Sequence, residues 1–163
     1  MRQIDPATLL AQRLAIAVPA LLLGGAYISQ YAFGLFPCEM CWWQRYPHFV
    51  ALVLGLVAAF ASAGPAGLRR GTIALAALAI LVSGLSGGFH AGVEYGWWDG
   101  LTGCATHVAS GGNALDNIMN APLVRCDVAP WSLFGISLAG WNFLISGAAG
   151  CAILALLARR KTA

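Results

Sequence analysis

The stretch from Phe36 to Pro47 holds the residues best suited to chemistry, two cysteines, Cys38 and Cys41, with two residues between them. Thiols at this spacing can close a disulfide across one turn or supply two ligands to a metal ion. The sequence after Cys41 predicts a helix, and the unpaired N–H groups and dipole at a helix amino end favour a thiolate. Arg45 follows one helical turn later on the same face. Cys41 is therefore predicted to be the more reactive thiol.

The composition of the chain predicts that membrane-spanning helices position this motif. Of the 163 residues, 60% are hydrophobic and only 9% are charged, which excludes an ordinary soluble domain. Four apolar segments, near 14–33, 46–63, 72–89 and 138–157, are long enough to cross a hydrocarbon layer of about 30 Å. The first lacks a small-residue cleavage site and is expected to be a retained helix. We predict an all-α polytopic membrane protein: one integral membrane domain (1–163), a four-helix transmembrane bundle with two outward loops, 34–45 and 90–137.

The distribution of basic residues predicts the orientation of this bundle. Seven of the nine lie before the first helix, between the second and third, or after the fourth: Arg2, Arg13, Arg69, Arg70, Arg159, Arg160 and Lys161. The other two, Arg45 and Arg125, share the loops with acidic residues. By the positive-inside rule both termini are cytoplasmic and both cysteine-bearing loops face outward. The net charge of +3 thus reflects topology, and we predict no nucleic acid partner.

The second outward loop carries another two cysteines, Cys104 and Cys126. Outside the cytoplasm thiols tend to be oxidised, which favours disulfides. A zinc site would favour a second closely spaced pair, and these two are far apart in the sequence, so we predict no metal. The bridges are either structural staples, with Arg45 extending towards lipid phosphates, or a relay in which each thiolate attacks the next sulfur. A fifth cysteine, Cys151, lies in the last apolar segment and is predicted to serve packing.

Aromatic and polar residues gather at the predicted outer ends of the helices. All six tryptophans fall there, as expected of an interfacial belt, and one or two of their rings are expected to line a ligand cleft. Gln30 lies at the outer end of the first helix, where a bond to backbone or water is expected ahead of the alternative, a bond to a ligand. His90 ends the third helix and fits either an interfacial polar residue or a functional one.

Three features together resemble one known family. They are the motif PCEMCWWQRYP at 37–47, the second cysteine pair in a long outer loop, and the sequence PWSLFGISLAGWN at 130–142 following Cys126. This combination is similar to the bacterial disulfide bond formation protein B family, DsbB, with its DsbI branch, over nearly the whole chain. The resemblance implies a multi-pass protein of the bacterial inner membrane. It also implies that a reduced periplasmic thioredoxin-fold oxidant, a DsbA-like protein, is reoxidised and that its electrons pass to a membrane quinone, ubiquinone or menaquinone.

The resemblance further implies a role for each of four cysteines. Cys104 would form the mixed disulfide with the periplasmic partner, and Cys126 would be its mate. Cys126 would then exchange with Cys38, and Cys41 would face the quinone. A quinone acceptor would make the chain an oxidase, because a disulfide relay alone only equilibrates with its partner.

The same resemblance places a quinone site beside Cys41. Arg45 would stabilise the thiolate and the reduced quinone oxygen. The apolar, aromatic end of the bundle is the expected docking place, which makes Trp42 and His90 further predicted quinone contacts. The stretch 111–122 matches no family pattern, so a general and a dedicated thioredoxin-fold partner both remain open. The alternative from another class is a non-catalytic membrane scaffold whose outer loops carry structural disulfides.

Overall fold

The computed structural model describes residues 5–60, 65–101, 105–106 and 123–159. Within these ranges it contains α1 (Pro6–Phe33), α2 (Glu39–Phe60), α3 (Ala66–Glu94), β1 (Ala105–Thr106), β2 (Leu123–Val124), β3 (Ser132–Leu133), β4 (Ile136–Ser137) and α4 (Leu138–Ala158). The two-residue strands pair antiparallel, β1 with β2 and β3 with β4. The prediction of an all-α fold is confirmed, and each helix overlaps one predicted apolar segment.

The helices begin and end where local side chains satisfy the backbone. At the start of α1 the carboxylate of Asp5 accepts a hydrogen bond from the backbone N–H of Thr8 at 3.2 Å, and a proline holds the first position. The helix ends at Gly34, whose φ of 68° is the left-handed conformation that favours glycine. At the start of α4 the hydroxyl of Ser137 accepts from the N–H of Gly140 at 3.1 Å.

The four helices form a closed ring in which α1 and α3 each contact both α2 and α4. By length and composition α1, α3 and α4 can each cross a membrane. The remaining helix, α2, packs among them and begins with several polar residues. The chain is therefore a multi-pass membrane protein.

One half of the bundle, here called the alanine half, has a core of small apolar side chains. It contains the first halves of α1 and α3 and the second halves of α2 and α4. Its buried residues are Ala11, Ala15, Ala51, Ala58, Ile73, Ala76, Ala77, Ile80, Ile153 and Leu157. A Cβ at Gly55 would lie 2.9 Å from Cγ1 of Ile16 and 3.0 Å from the carbonyl oxygen of Ala15. Glycine at this position therefore lets α1 and α2 approach closely.

The opposite half, the cysteine half, is closed by the segments that follow α3. The indole N–H of Trp98 donates to the carbonyl of Phe89 at 2.9 Å, and the two rings stack with centroids 5.7 Å apart. The hydroxyl of Tyr95 donates to the carbonyl of Gly135 at 3.0 Å and accepts from the N–H of Ser137 at 3.2 Å. These bonds fasten the β3–β4 hairpin to the end of α3 and so cover the end of the bundle where the cysteines lie.

Candidate active site

Cys38 and Cys41 stand side by side at the start of α2. Cys38 directly precedes the helix, and its Sγ accepts a hydrogen bond from the backbone N–H of Cys41 at 3.2 Å. Both are free thiols, and their sulfurs are 2.8 Å apart. The hydrogen bond to the Cys41 side chain and burial both raise the pKa of the Cys38 thiol. The pair is thus asymmetric: Cys38 retains its proton, and the thiolate forms at Cys41 in the first turn of the helix.

A third cysteine, Cys126, lies beside this pair. It follows β2 and packs with Cys38, Met40 and Val93 in a buried cluster. The side chain of His90, from α3, completes the group: its Nε2 is 3.1 Å from the carbonyl oxygen of Cys126 and 3.6 Å from the sulfur of Cys38. The structure therefore brings a cysteine of the second loop against the helix-end pair, as an exchange between Cys126 and Cys38 requires.

The same residues form a possible ligand set for a metal ion. The sulfurs of Cys38 and Cys126 and a ring nitrogen of His90 all lie within 4.8 Å of one another. A carboxylate oxygen of Glu94 is 3.8 Å from Nε2 of His90. Two sulfurs and an imidazole suit zinc or another soft cation. The same sulfurs are the predicted redox cysteines, and a bound metal would compete with disulfide formation. The expectation of no metal stays a prediction.

Arg45 lies one turn beyond Cys41 and is only 6% exposed. Its Nη1 donates to Oε1 of Gln30 at 2.7 Å, and its guanidinium carbon is 5.0 Å from the ring centroids of both Tyr27 and Trp42. Two aromatic faces and an amide thus hold the cation in one orientation. Gln30 was expected to bond backbone or water; it bonds this guanidinium instead, because α1 and α2 bring the two side chains together.

A cavity of about 430 Å³ opens beside this arginine, with walls formed by residues of all four helices and their connections. Cys41, Arg45 and His90 line it, and most of the remaining lining is apolar. Leu21 lines the cavity and is also 74% exposed on the outer surface of the bundle, so the cavity opens on the face that meets lipid. A narrow apolar site with few polar groups suits a flat, hydrophobic ligand with polar oxygens.

The predicted site residues do not all meet in this cavity. Trp131 and Trp141 line it, in agreement with the expectation that one or two tryptophan rings would do so. Trp42 does not; its ring covers Arg45 from outside the lining, and its contact with a quinone stays a prediction. His90 was expected to be either an interfacial polar residue or a functional one; its side chain is buried inside the bundle, with 2% of its surface exposed. Cys104 lies outside the described residues.

Sequence reasoning missed a buried polar network that extends from His90 across the bundle. The amide nitrogen of Gln44, on α2, donates to the carbonyl of Met40 at 3.2 Å and to Nδ1 of His90 at 2.9 Å. The amide nitrogen of Asn142, on α4, donates to Oε1 of Gln44 at 2.9 Å and to the carbonyl of Ser83 at 3.1 Å. Three helices are thereby joined through side-chain amides next to the cysteines.

The network continues to a second histidine, His48. The oxygen of the Asn142 amide accepts from the hydroxyl of Ser146 at 2.8 Å and from Nε2 of His48 at 3.0 Å. His48 is 3% exposed and lines the cavity. The signal available in the sequence was spacing: Cys41, Arg45 and His48 follow one another at intervals of four and three residues, which places them on one face of α2.

Comparison with known proteins identifies the family. The model of the family described as "Disulfide bond formation protein DsbB" matches residues 9–158. The chain belongs to the DsbB family. One DsbB relative, "Disulfide bond formation protein B" of Verminephrobacter eiseniae (strain EF01-2), is 34% identical over 158 residues, covering 90% of this chain and 83% of the relative. Another, "Disulfide bond formation protein B 2" of Pseudomonas syringae pv. syringae (strain B728a), is 34% identical over 137 residues, 80% of this chain and 77% of the relative. No solved structure matches the chain significantly.

Membership of the DsbB family confirms the resemblance inferred from the motifs. The matched region spans all four helices and the cysteines at 38, 41, 104 and 126. The protein is therefore a multi-pass membrane member of the disulfide bond formation family.

Proposed function

We propose that this DsbB-family protein oxidises a dithiol protein outside the cytoplasm and passes two electrons to a membrane quinone. The observation that carries the proposal is the position of the Cys38–Cys41 pair. Cys38 lies beside Cys126 of the second loop, whereas Cys41 lines the apolar cavity with Arg45. The pair thus connects a loop that a soluble protein can reach to a site that a lipid-soluble molecule can reach.

The relay follows from sulfur chemistry. A thiolate of the partner attacks a Cys104–Cys126 disulfide at Cys104, and the Cys126 thiolate leaves. Cys126 then attacks the Cys38–Cys41 disulfide at Cys38, from a position within 4.8 Å. Cys41 leaves as a thiolate, which the helix amino end stabilises. The second thiolate of the partner attacks the partner's own sulfur in the mixed disulfide, which forms the partner's disulfide and releases the Cys104 thiolate. Cys104 then attacks Cys126, which re-forms the Cys104–Cys126 disulfide and leaves Cys38 and Cys41 as the dithiol that must be reoxidised.

The residues around the cavity fit a quinone. Apolar side chains such as Leu22 and Ile145 suit its ring and tail, and Trp131 and Trp141 offer aromatic faces. Arg45 keeps N–H groups beyond those it gives to Gln30 and can donate one to a quinone oxygen. A quinone bound there supplies the sink for two electrons and the two protons of the thiols. The choice between ubiquinone and menaquinone is a matter of ring size in this cavity.

Location and partner belong to the same proposal. Four described basic residues lie in or next to the alanine half and support cytoplasmic termini: Arg13, Arg69, Arg70 and Arg159. The cysteine half would then face the periplasm of a bacterial inner membrane. The partner that suits the second loop is a DsbA-like thioredoxin-fold protein, whose exposed thiolate performs the first attack. The relatives named "Disulfide bond formation protein B" support the formation of disulfides, rather than their reduction, as the outcome for the partner.

The test is quinone reduction by the purified protein in detergent, supplied with a reduced thioredoxin-fold dithiol protein and followed by quinone absorbance. We expect Cys41→Ser to abolish turnover and Arg45→Ala to slow it about tenfold or more, as loss of a charged hydrogen-bond donor does. Cys151 was predicted to serve packing but is exposed on α4, so Cys151→Ser, which changes the same atom there, is the matched control. Equal turnover by the Cys41→Ser variant and the unaltered protein would exclude the relay. No turnover by the unaltered protein, with several partners and both quinone types tried, would favour a scaffold with structural disulfides.

A further inference from the structure

The polar network around Asn142 has a fixed direction, because a backbone carbonyl can only accept hydrogen bonds. The carbonyl of Ser83 lies 3.1 Å from one end of the Asn142 amide, which must therefore be the nitrogen. The oxygen end then faces Nε2 of His48 at 3.0 Å, so Nε2 must carry the hydrogen of that bond. In a neutral imidazole the other nitrogen, Nδ1 of His48, is left as a bare acceptor.

That acceptor has no hydrogen-bond partner among the described residues. His48 is 3% exposed, its Nδ1 is buried, and the side chain lines the cavity that also contains Cys41 and Arg45. A buried acceptor left unpaired carries a desolvation cost that no hydrogen bond offsets. A ligand in the cavity that offers an O–H group would remove this cost, whereas a ligand with only carbonyl oxygens would not.

His90 provides an internal contrast, because both of its ring nitrogens are used by the protein. The carbonyl of Met40 fixes the Gln44 amide, whose nitrogen donates to Nδ1 of His90. Nε2 of His90 then carries the hydrogen and donates to the carbonyl of Cys126 at 3.1 Å. Of the two histidines that line the cavity, His48 is the one with a lone pair available to a ligand.

We propose that Nδ1 of His48 accepts a hydrogen bond from a hydroxyl of hydroquinone, so that the cavity binds the reduced ligand more tightly than the quinone. The inference rests on the function proposed above. Arg45 and His48 are three residues apart on α2, and both side chains line the cavity. Arg45 donates to one oxygen, and His48 accepts from the hydroxyl formed at the other.

This arrangement favours the forward reaction without a proton transfer to or from His48. The Cys38 and Cys41 thiols form their disulfide and give up two electrons and two protons, which convert quinone to hydroquinone. His48 faces a carbonyl oxygen, another acceptor, before the reaction and a hydroxyl donor after it. Tighter binding of the reduced form raises the reduction potential of the bound couple, by about 30 mV for each tenfold difference in affinity.

The experiment measures binding rather than turnover. Dissociation constants for a short-chain benzoquinone and for its hydroquinone are determined with full-length protein carrying Cys41→Ser, so that no electrons leave the pair. With His48 present we expect the hydroquinone to bind more tightly. His48→Leu should weaken hydroquinone binding about tenfold and leave quinone binding within about twofold. The oxygen of Asn142 keeps its bond from Ser146 in this variant, which limits the structural disturbance.

Two further variants keep the result interpretable. His48→Asn places an amide oxygen near the position of Nδ1 and should recover most of the hydroquinone affinity, to within about threefold. Val53→Ala changes a residue of α2 that is 60% exposed and should alter neither constant. An equal loss for both ligands in His48→Leu, or no loss for either, would overturn the role of His48 while leaving the quinone site in place. If neither ligand binds the protein with His48 intact, the proposed function fails as well.

Discussion

The two halves of the bundle are held together by different interactions. In the alanine half small apolar side chains allow close helix contact, and polar contacts lie at its rim, where Arg70 donates to Thr8 at 3.2 Å and also bonds the carbonyl of Leu157. In the cysteine half the side chains of Gln44, Arg45, His48 and His90 are buried. Gln44 bonds His90, and the partly buried Asn142 joins Gln44 to His48. Buried polar groups within a membrane are costly and usually functional. The contrast supports the proposal that the alanine half is the scaffold and that the cysteine half contains the active site.

The largest expected effect is the difference in activity between substitution of Cys38, in the cysteine half, and substitution of Cys151, in the alanine half. Cys38→Ser removes the sulfur that receives electrons from Cys126 and should reduce oxidation of a thioredoxin-fold dithiol at least about 1000-fold. Cys151→Ser makes the same atomic change at an exposed position of α4 and should leave the rate unchanged. The measurement is quinone-dependent thiol loss in detergent. A similar loss in both variants would mean that the two cysteines are not functionally distinct.

A second prediction concerns the asymmetry within the cysteine half. Because the pKa of Cys38 is raised by its hydrogen bond to Cys41 and by burial, its thiolate appears only at higher pH. In the reduced protein at pH 7, iodoacetamide should modify Cys41 at least about tenfold faster than Cys38, as measured by peptide mass spectrometry. Raising the pH should narrow this difference. If Cys38 and Cys41 are modified at equal rates in the folded protein, as they should be after denaturation, the two thiols do not differ in reactivity and this prediction is wrong.

The close packing of the alanine half can be disrupted by one methyl group. Gly55→Ala places a Cβ 2.9 Å from Ile16 and should lower the free energy of unfolding by about 1–3 kcal/mol. Gly24→Ala, where a Cβ would meet nothing within 4 Å, should be neutral or slightly stabilising. Denaturant titration of the reconstituted protein measures both. Equal stability of the two variants would show that α1 and α2 do not depend on this contact.

The smallest expected effect tests one hydroxyl of the polar network, that of Ser146, which also lies 3.4 Å from Nε2 of His48. Ser146→Ala removes the hydroxyl that donates to Asn142 at 2.8 Å and should lower the free energy of unfolding by about 0.6 kcal/mol, the usual contribution of such a bond in a membrane. Ser86, whose hydroxyl bonds a carbonyl of its own helix at an exposed site, is the matched position. Ser86→Ala should change the unfolding free energy less. A larger loss of unfolding free energy in Ser86→Ala than in Ser146→Ala would show that the polar network does not stabilise the bundle.

Much of the fold could be predicted because transmembrane segments are continuous in sequence. Hydrophobicity and length alone located four helices. The motif starting at Cys38 located the amino end of α2, where the candidate active site lies. The helix ends were less predictable. α1 begins before its apolar segment, because Asp5 caps the helix at its amino end. α3 extends beyond its apolar segment and ends at Glu94.

The site was only partly predictable, because it depends on how the helices are rotated against one another. The stripe of Cys41, Arg45 and His48 can be read from spacing, but its alignment with Asn142 of α4 cannot. The bond between Arg45 and Gln30 likewise requires α1 to be the neighbour of α2 at that depth. Single polar residues in apolar helices should therefore be examined together, as possible partners across helices.

Leu21 belongs at once to the wall of the cavity and to the outer surface of the bundle. A ligand that uses this opening arrives by diffusion within the plane of the bilayer, without crossing water. Its effective concentration is then its mole fraction in the lipid, and saturation of the protein depends on the ratio of ligand to lipid. Diluting the same vesicles with buffer should leave the rate per protein unchanged, whereas diluting the ligand with additional lipid should lower it.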